Sequence, residues 1–96
     1  MDYNQIKNVM ISLGLRHHEI SEGTNFTFVN GNKRRIILER LRPLEQGGAR
    51  GFLYVALLEE YKDCCSKNGH INVKNISSEQ DLIVLVKRII AALEVT

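Results

Sequence analysis

Six basic residues lie between positions 33 and 50 (Lys33, Arg34, Arg35, Arg40, Arg42 and Arg50), against two acids, Glu39 and Glu45. Guanidinium forks match phosphate oxygens, and cations that displace condensed counterions bind nucleic acid. A tip of Asn30, Gly31, Asn32, Lys33, Arg34 and Arg35 could enter a groove while Arg40, Arg42 and Arg50 hold phosphates. A solvated face that protects exposed strands from edge pairing would use the same residues. The formal net charge of +2 is too small to separate the two readings, so distribution must carry the case. Glu59, Glu60 and Asp63 make the neighbouring segment acidic, and a polarised molecule is expected. DNA, RNA or an acidic protein would each suit the basic side.

A second chemistry is suggested by Glu60, Tyr61 and Lys62. This triplet resembles the E-x-K part of the PD-(D/E)xK nuclease core. The resemblance implies that Glu60 and an acid on the preceding strand, here Glu39, bind a divalent ion while Lys62 supports the attacking water. The core's Pro-Asp pair is missing, and E-x-K is also ordinary on solvated helices. Cys64, Cys65, His70, His17 and His18 could ligate metal, but adjacent Cys-Cys and His-His residues diverge on any regular element, unlike spaced C-x-x-C pairs. A nucleophilic Cys64 would need His70 beside it. Inert thiols, surface imidazoles and no bound metal or cofactor are the expectation.

The elements that must position these residues follow from periodicity. Tyr3, Ile6, Val9, Met10 and Leu13 share one helical face, Asp2 and Gln5 have capping-box spacing, and Gly14-Leu15 supplies a stop, so a helix is predicted over 2–13. Residues 16–23 read as a loop or short edge strand. Phe26, Phe28 and Val29 begin a strand over 24–30 that turns at Asn30-Gly31-Asn32 into another over 33–42. A two-residue turn would face Phe26 and Phe28 with Lys33, Arg35 and Ile37. A three-residue loop faces them with Arg34, Ile36 and Leu38, giving the better core of Phe26, Phe28, Ile36 and Leu38, and is preferred. With Phe26 and Phe28 used as core, no aromatic set for stacking RNA bases is evident.

PLEQGGARG, residues 43–51, is a loop that carries Arg50 outward. Residues 52–67 fit two periods. Leu53, Tyr54, Leu57, Leu58, Tyr61, Cys64 and Cys65 make a helical stripe, while Phe52 to Leu58 could be a buried strand; helix is preferred. HINVKNI alternates as a strand over 70–76. Ser77 or Ser78, with the box Ser77 to Gln80, then caps a core helix over 78–94. Its apolar sector is wide enough that part of Leu82, Val86, Ile89, Ile90, Leu93 and Val95 could meet a partner subunit.

The segment GHINVKNISSEQDLIVLVKRIIAAL, with Ser12-Leu13-Gly14 after the first helix, is similar to the end of a small domain of unknown function found beside restriction-type endonucleases, and to YjbR-like double-wing domains. The resemblance covers about a quarter of the chain. It implies an α+β domain on a curved antiparallel sheet, without known catalytic residues and with nucleic-acid association.

Ninety-six residues suffice for one domain with one core, and 44% hydrophobic with 25% charged residues argue against a disordered chain. The N-terminus does not read as a signal peptide and no run is long enough to span a membrane, so a cytoplasmic protein is expected. The whole reads as a single α+β domain over 1–96, an antiparallel sheet of three or four strands packed by N- and C-terminal helices. The expected role is a non-enzymatic accessory domain that contacts nucleic acid or an acidic partner through the basic hairpin. The alternatives are a protein–protein or dimerisation module and a degenerate metal-dependent nuclease.

Overall fold

A computed structural model describes residues 1–63 and 66–95. Helix α1 (Tyr3–Ser12) is followed by strands β1 (Arg16–Ile20), β2 (Gly23–Asn30), β3 (Lys33–Pro43), β4 (Ala49–Tyr54) and β5 (His70–Asn72), and the chain ends in helix α2 (Glu79–Glu94). The five strands form one antiparallel sheet in the order β1-β2-β3-β4-β5. The expected α+β class holds, with five strands where three or four were predicted.

The helix ends are fixed by their caps. Asp2 accepts from the Gln5 N–H at 2.8 Å, the Gln5 side chain accepts from the Asp2 N–H at 2.9 Å, and both bonds use groups a helix start would otherwise leave unpaired. Gly14 takes φ 86° at the other end, where a side chain would be strained, and Leu15 then turns into the core. In α2 the cap is Ser78, one of the two serines expected, which accepts from the Asp81 N–H at 3.1 Å and so stands one residue beyond the Ser77 of the predicted box to Gln80.

Both helices lie on one face of the sheet. Cross-strand partners Phe26, Leu38 and Leu53 are fully buried there with Ile6, Met10, Leu82, Val86 and Ile89. Each such aliphatic or aromatic side chain contributes about 1.5–3 kcal/mol on removal from water. Because Leu82, Val86 and Ile89 are consumed by this core, they are not available to a second subunit; Ile90 and Leu93 are half-buried, and Val95 is exposed.

The predicted register is corrected at both ends of the hairpin. Asn30 faces Lys33, so Gly31-Asn32 is a two-residue turn, and Phe28 faces Arg35. Ile37 is then an extra residue in β3. Beyond it Phe26 faces Leu38, while Ile36 faces Thr27 and stays half-buried; the core positions are Ile37 and Leu38. A second bulge follows, because β3 also has one residue more than β2 and β4 between Leu38 and Arg42.

The helix preferred for residues 52–67 is also corrected. Ala49, Gly51, Leu53 and Val55 are buried and alternate with Arg50, Phe52 and Tyr54, which is strand spacing. Gly51 permits the close approach to β3: a Cβ there would stand 3.1 Å from the Leu38 side chain and 3.3 Å from the Leu41 Cα. After Tyr54 the chain turns, with Leu58 N–H donating to the Val55 carbonyl and a single 3-10 turn at Glu59–Tyr61. The predicted strand over 70–76 is likewise short, giving way to a 3-10 turn at Val73–Asn75. Among the described residues, no helix is long and apolar enough to cross a membrane.

Candidate nucleic-acid interface

Side chains alternate across a strand, so burying Leu38 and Leu53 under the helices turns Glu39, Phe52 and Tyr54 to the opposite face. Glu39 is paired with Phe52, Phe52 with Asn72, and Tyr54 with His70, which sets five side chains in two adjacent rows across β3, β4 and β5. The His70 imidazole stands at an edge angle to both rings, with centroids 5.9 Å from Tyr54 and 6.3 Å from Phe52 and interplanar angles of 65° and 68°.

Arginines cover these rings. The Arg35 guanidinium carbon lies 3.9 Å from the Tyr54 ring centroid, that of Arg40 lies 4.6 Å from Phe52, and that of Arg50 lies 5.6 Å from the same ring. Each contact is a cation held against the negative face of an aromatic quadrupole. Arg42 faces Arg50 directly across β3 and β4, an arrangement that costs free energy until an anion neutralises it. Among the described residues none of Arg34, Arg35, Arg40, Arg42 and Arg50 is in an ion pair.

The second bulge aims Arg40. It has φ 55°, the sole positive φ outside glycine among the described residues, and its N–H donates to the Asn25 Oδ1 at 2.9 Å. A left-handed non-glycine residue costs about 1–2 kcal/mol. Asn25 and the irregular pairing hold it in place, and the product is a guanidinium above Phe52.

The predicted basic residues therefore divide. Arg35, Arg40 and Arg50 meet on the aromatic rows, Arg42 stands opposite Arg50, and Arg34 lines a cleft of about 420 Å³ with Arg35, Ile36, Glu39, Tyr54 and His70. Lys33 is directed elsewhere, with its Nζ 3.5 Å from the Leu93 carbonyl at the C-terminal end of α2, where the helix dipole favours a cation.

Glu39, Glu60 and Lys62 do not meet. Glu39 contacts His70 (Oε2 to Nε2, 3.7 Å), Glu60 is bound by both terminal nitrogens of Arg88 on α2, and Lys62 stands 4.0 Å from Glu59. The fork from Arg88 lowers the Glu60 pKa and correspondingly raises that of Arg88. A hollow of about 520 Å³ beside Tyr61, Val84 and Arg88 lies on this helix side, where the paired Arg88 offers little charge to a ligand. Among the described residues no three His, Cys, Asp or Glu side chains are grouped to hold a metal ion. Cys64 and Cys65 lie outside the described residues.

The aromatic half of the site was missed by reasoning from the sequence. The preferred helical stripe takes in Tyr54, and Phe52 enters only through the alternative buried strand, although Arg50-Gly51-Phe52-Leu53-Tyr54-Val55 carries its own signal, apolar or small residues alternating with cationic and aromatic ones. His70 and Glu39 were noticed separately, for different chemistries. No family model, no curated protein and no solved structure matches this chain.

Proposed function

We propose that this protein binds single-stranded nucleic acid on the helix-free face of its sheet. The observation that carries the reading is the alternation of Arg35, Tyr54, Phe52, Arg40 and Arg50 on one surface, with no acid neutralising the arginines among the described residues. A sheet face does not fill a duplex groove, but its rings with the guanidinium planes stacked on them offer platforms to unpaired bases, while the neighbouring cations follow the phosphates. Phe52 and Tyr54 are two residues apart on one strand, roughly 7 Å, so two bases can be received in succession. Guanidinium planes stack on bases as rings do, and an arginine already lying on Phe52 or Tyr54 presents its outer plane to the ligand.

The experiment is fluorescence anisotropy with a labelled mixed-sequence RNA oligonucleotide, repeated over a range of salt. Wild-type protein binds at low salt and weakens as salt rises. The double variant Phe52→Ala, Tyr54→Ala loses about 2–6 kcal/mol of binding, from roughly 1–3 kcal/mol per stacked base. The reading fails if wild type does not bind at low salt, or if the double variant binds as wild type does.

A further inference from the structure

We propose that the same face cleaves RNA by internal transfer of the phosphodiester to the ribose 2′-oxygen, with Glu39 as proton acceptor and His70 as proton donor. The inference rests on the reading of this face as a single-strand binding surface and assigns a reaction to the part of it that the stacking contacts leave unexplained. Cleavage of this type needs a base for the 2′-hydroxyl, an acid for the leaving 5′-oxygen and cations for the phosphoryl oxygens, all within reach of one phosphate. The cleft on this face brings those groups together.

Glu39 reaches from β3 and His70 from β5 over the intervening β4, and they meet at 3.7 Å. Their side chains remain 31% and 17% exposed, so a ligand on the face can reach both. Arg34 and Arg35 line the same cleft without an acid partner among the described residues, and Arg35 is fixed by its contact with Tyr54. The imidazole is also in edge contact with the rings of Phe52 and Tyr54. A partly exposed Glu–His contact adds little to stability, so folding alone gives weak reason to gather these groups beside two unpaired arginines.

In the proposed step the Glu39 carboxylate takes the proton of the 2′-hydroxyl, and the freed electron pair forms the bond from the 2′-oxygen to phosphorus. The bond from phosphorus to the 5′-oxygen breaks, and its electron pair leaves on that oxygen, which takes a proton from the His70 imidazolium. Arg34 and Arg35 hold the charge on the non-bridging oxygens. The products are a 2′,3′-cyclic phosphate and a free 5′-hydroxyl. Protonated Glu39 and neutral His70 remain, and the proton returns from one to the other across their contact, restoring the starting pair. DNA has no 2′-hydroxyl and is bound without being cut.

The test incubates purified protein with a labelled RNA oligonucleotide in the presence of EDTA, beside DNA and 2′-O-methyl RNA of the same sequence, with binding of all three measured in parallel. Cut RNA ending in a cyclic phosphate, identified by its mass, with both analogues bound and intact, is the expected result. Glu39→Gln and His70→Asn, each with the wild-type circular dichroism spectrum, lower the cleavage rate at least about 100-fold, the scale of a lost acid or base. RNA bound but uncut overturns the cleavage while leaving the binding surface standing; RNA neither bound nor cut overturns both. Cleavage at the wild-type rate by both variants overturns the assignment of Glu39 and His70.

Discussion

The two faces of the sheet are built from alternate residues of the same strands, yet they obey different rules. Under the helices, Phe26, Leu38 and Leu53 meet in register and are fully buried, and what matters there is volume and contact. On the other face Phe52 and Tyr54 are half-buried and sit under guanidinium groups, and Arg42 opposes Arg50. The first face is what a fold needs. The second retains like charges and a left-handed arginine that a fold would be better without, and this free energy held against stability is what supports the proposed binding surface.

Substitutions on the two faces should therefore separate stability from binding. The largest effect on stability is expected from Phe26→Ala, which empties a fully buried site and should cost about 3–5 kcal/mol in urea unfolding, enough to threaten the folded state of so small a domain. Arg34→Ala with Arg35→Ala should leave the unfolding free energy within about 1 kcal/mol of wild type, the scale of the exposed Arg35–Tyr54 contact it removes. The same pair should reduce the slope of log affinity against log salt by up to about 1.4, since each cation released from a single strand contributes roughly 0.7.

Arg40→Gly should also change stability little, because opposing contributions cancel. Glycine removes a strain of about 1–2 kcal/mol from the left-handed position, but costs about 0.5–1 kcal/mol of chain entropy in a strand and loses an exposed cation–ring contact of about 0.5–1 kcal/mol. Unfolding should therefore stay within about 1 kcal/mol of wild type while RNA binding falls several-fold. A clear loss of stability without loss of binding would place Arg40 among the residues that hold the fold and would remove the contrast between the faces.

How much of this could be read in the sequence differs between the same two faces. Both helices were legible because capping residues and apolar spacing agree, and a turn after Asn30 was legible from its Gly31-Asn32, but its length was not: a three-residue loop was preferred where the pairing of Asn30 with Lys33 leaves two residues. The helix-side core was legible in kind but not in position. Ile36, Ile37 and Leu38 offer three apolar residues in succession, and only the bulge at Ile37 determines which of them point inward. The arginines were visible as a cluster, whereas their convergence was not. That depends on strand parity through a second bulge and on β4, whose Phe52 to Leu58 run fits a helix and a strand alike. Glu39 and His70 lie 31 positions apart (70 − 39) and meet because β4 separates their strands, a relation that residue types do not carry.

Whether the helix-free face is the binding face is tested most directly by amide chemical-shift mapping of labelled protein titrated with single-stranded RNA. The largest changes should fall on Arg40, Arg50, Phe52, Tyr54 and His70, with Leu82 and Val86 nearly still. Changes centred on α2 around Val84 and Arg88, with Phe52 and Tyr54 unmoved, would contradict it.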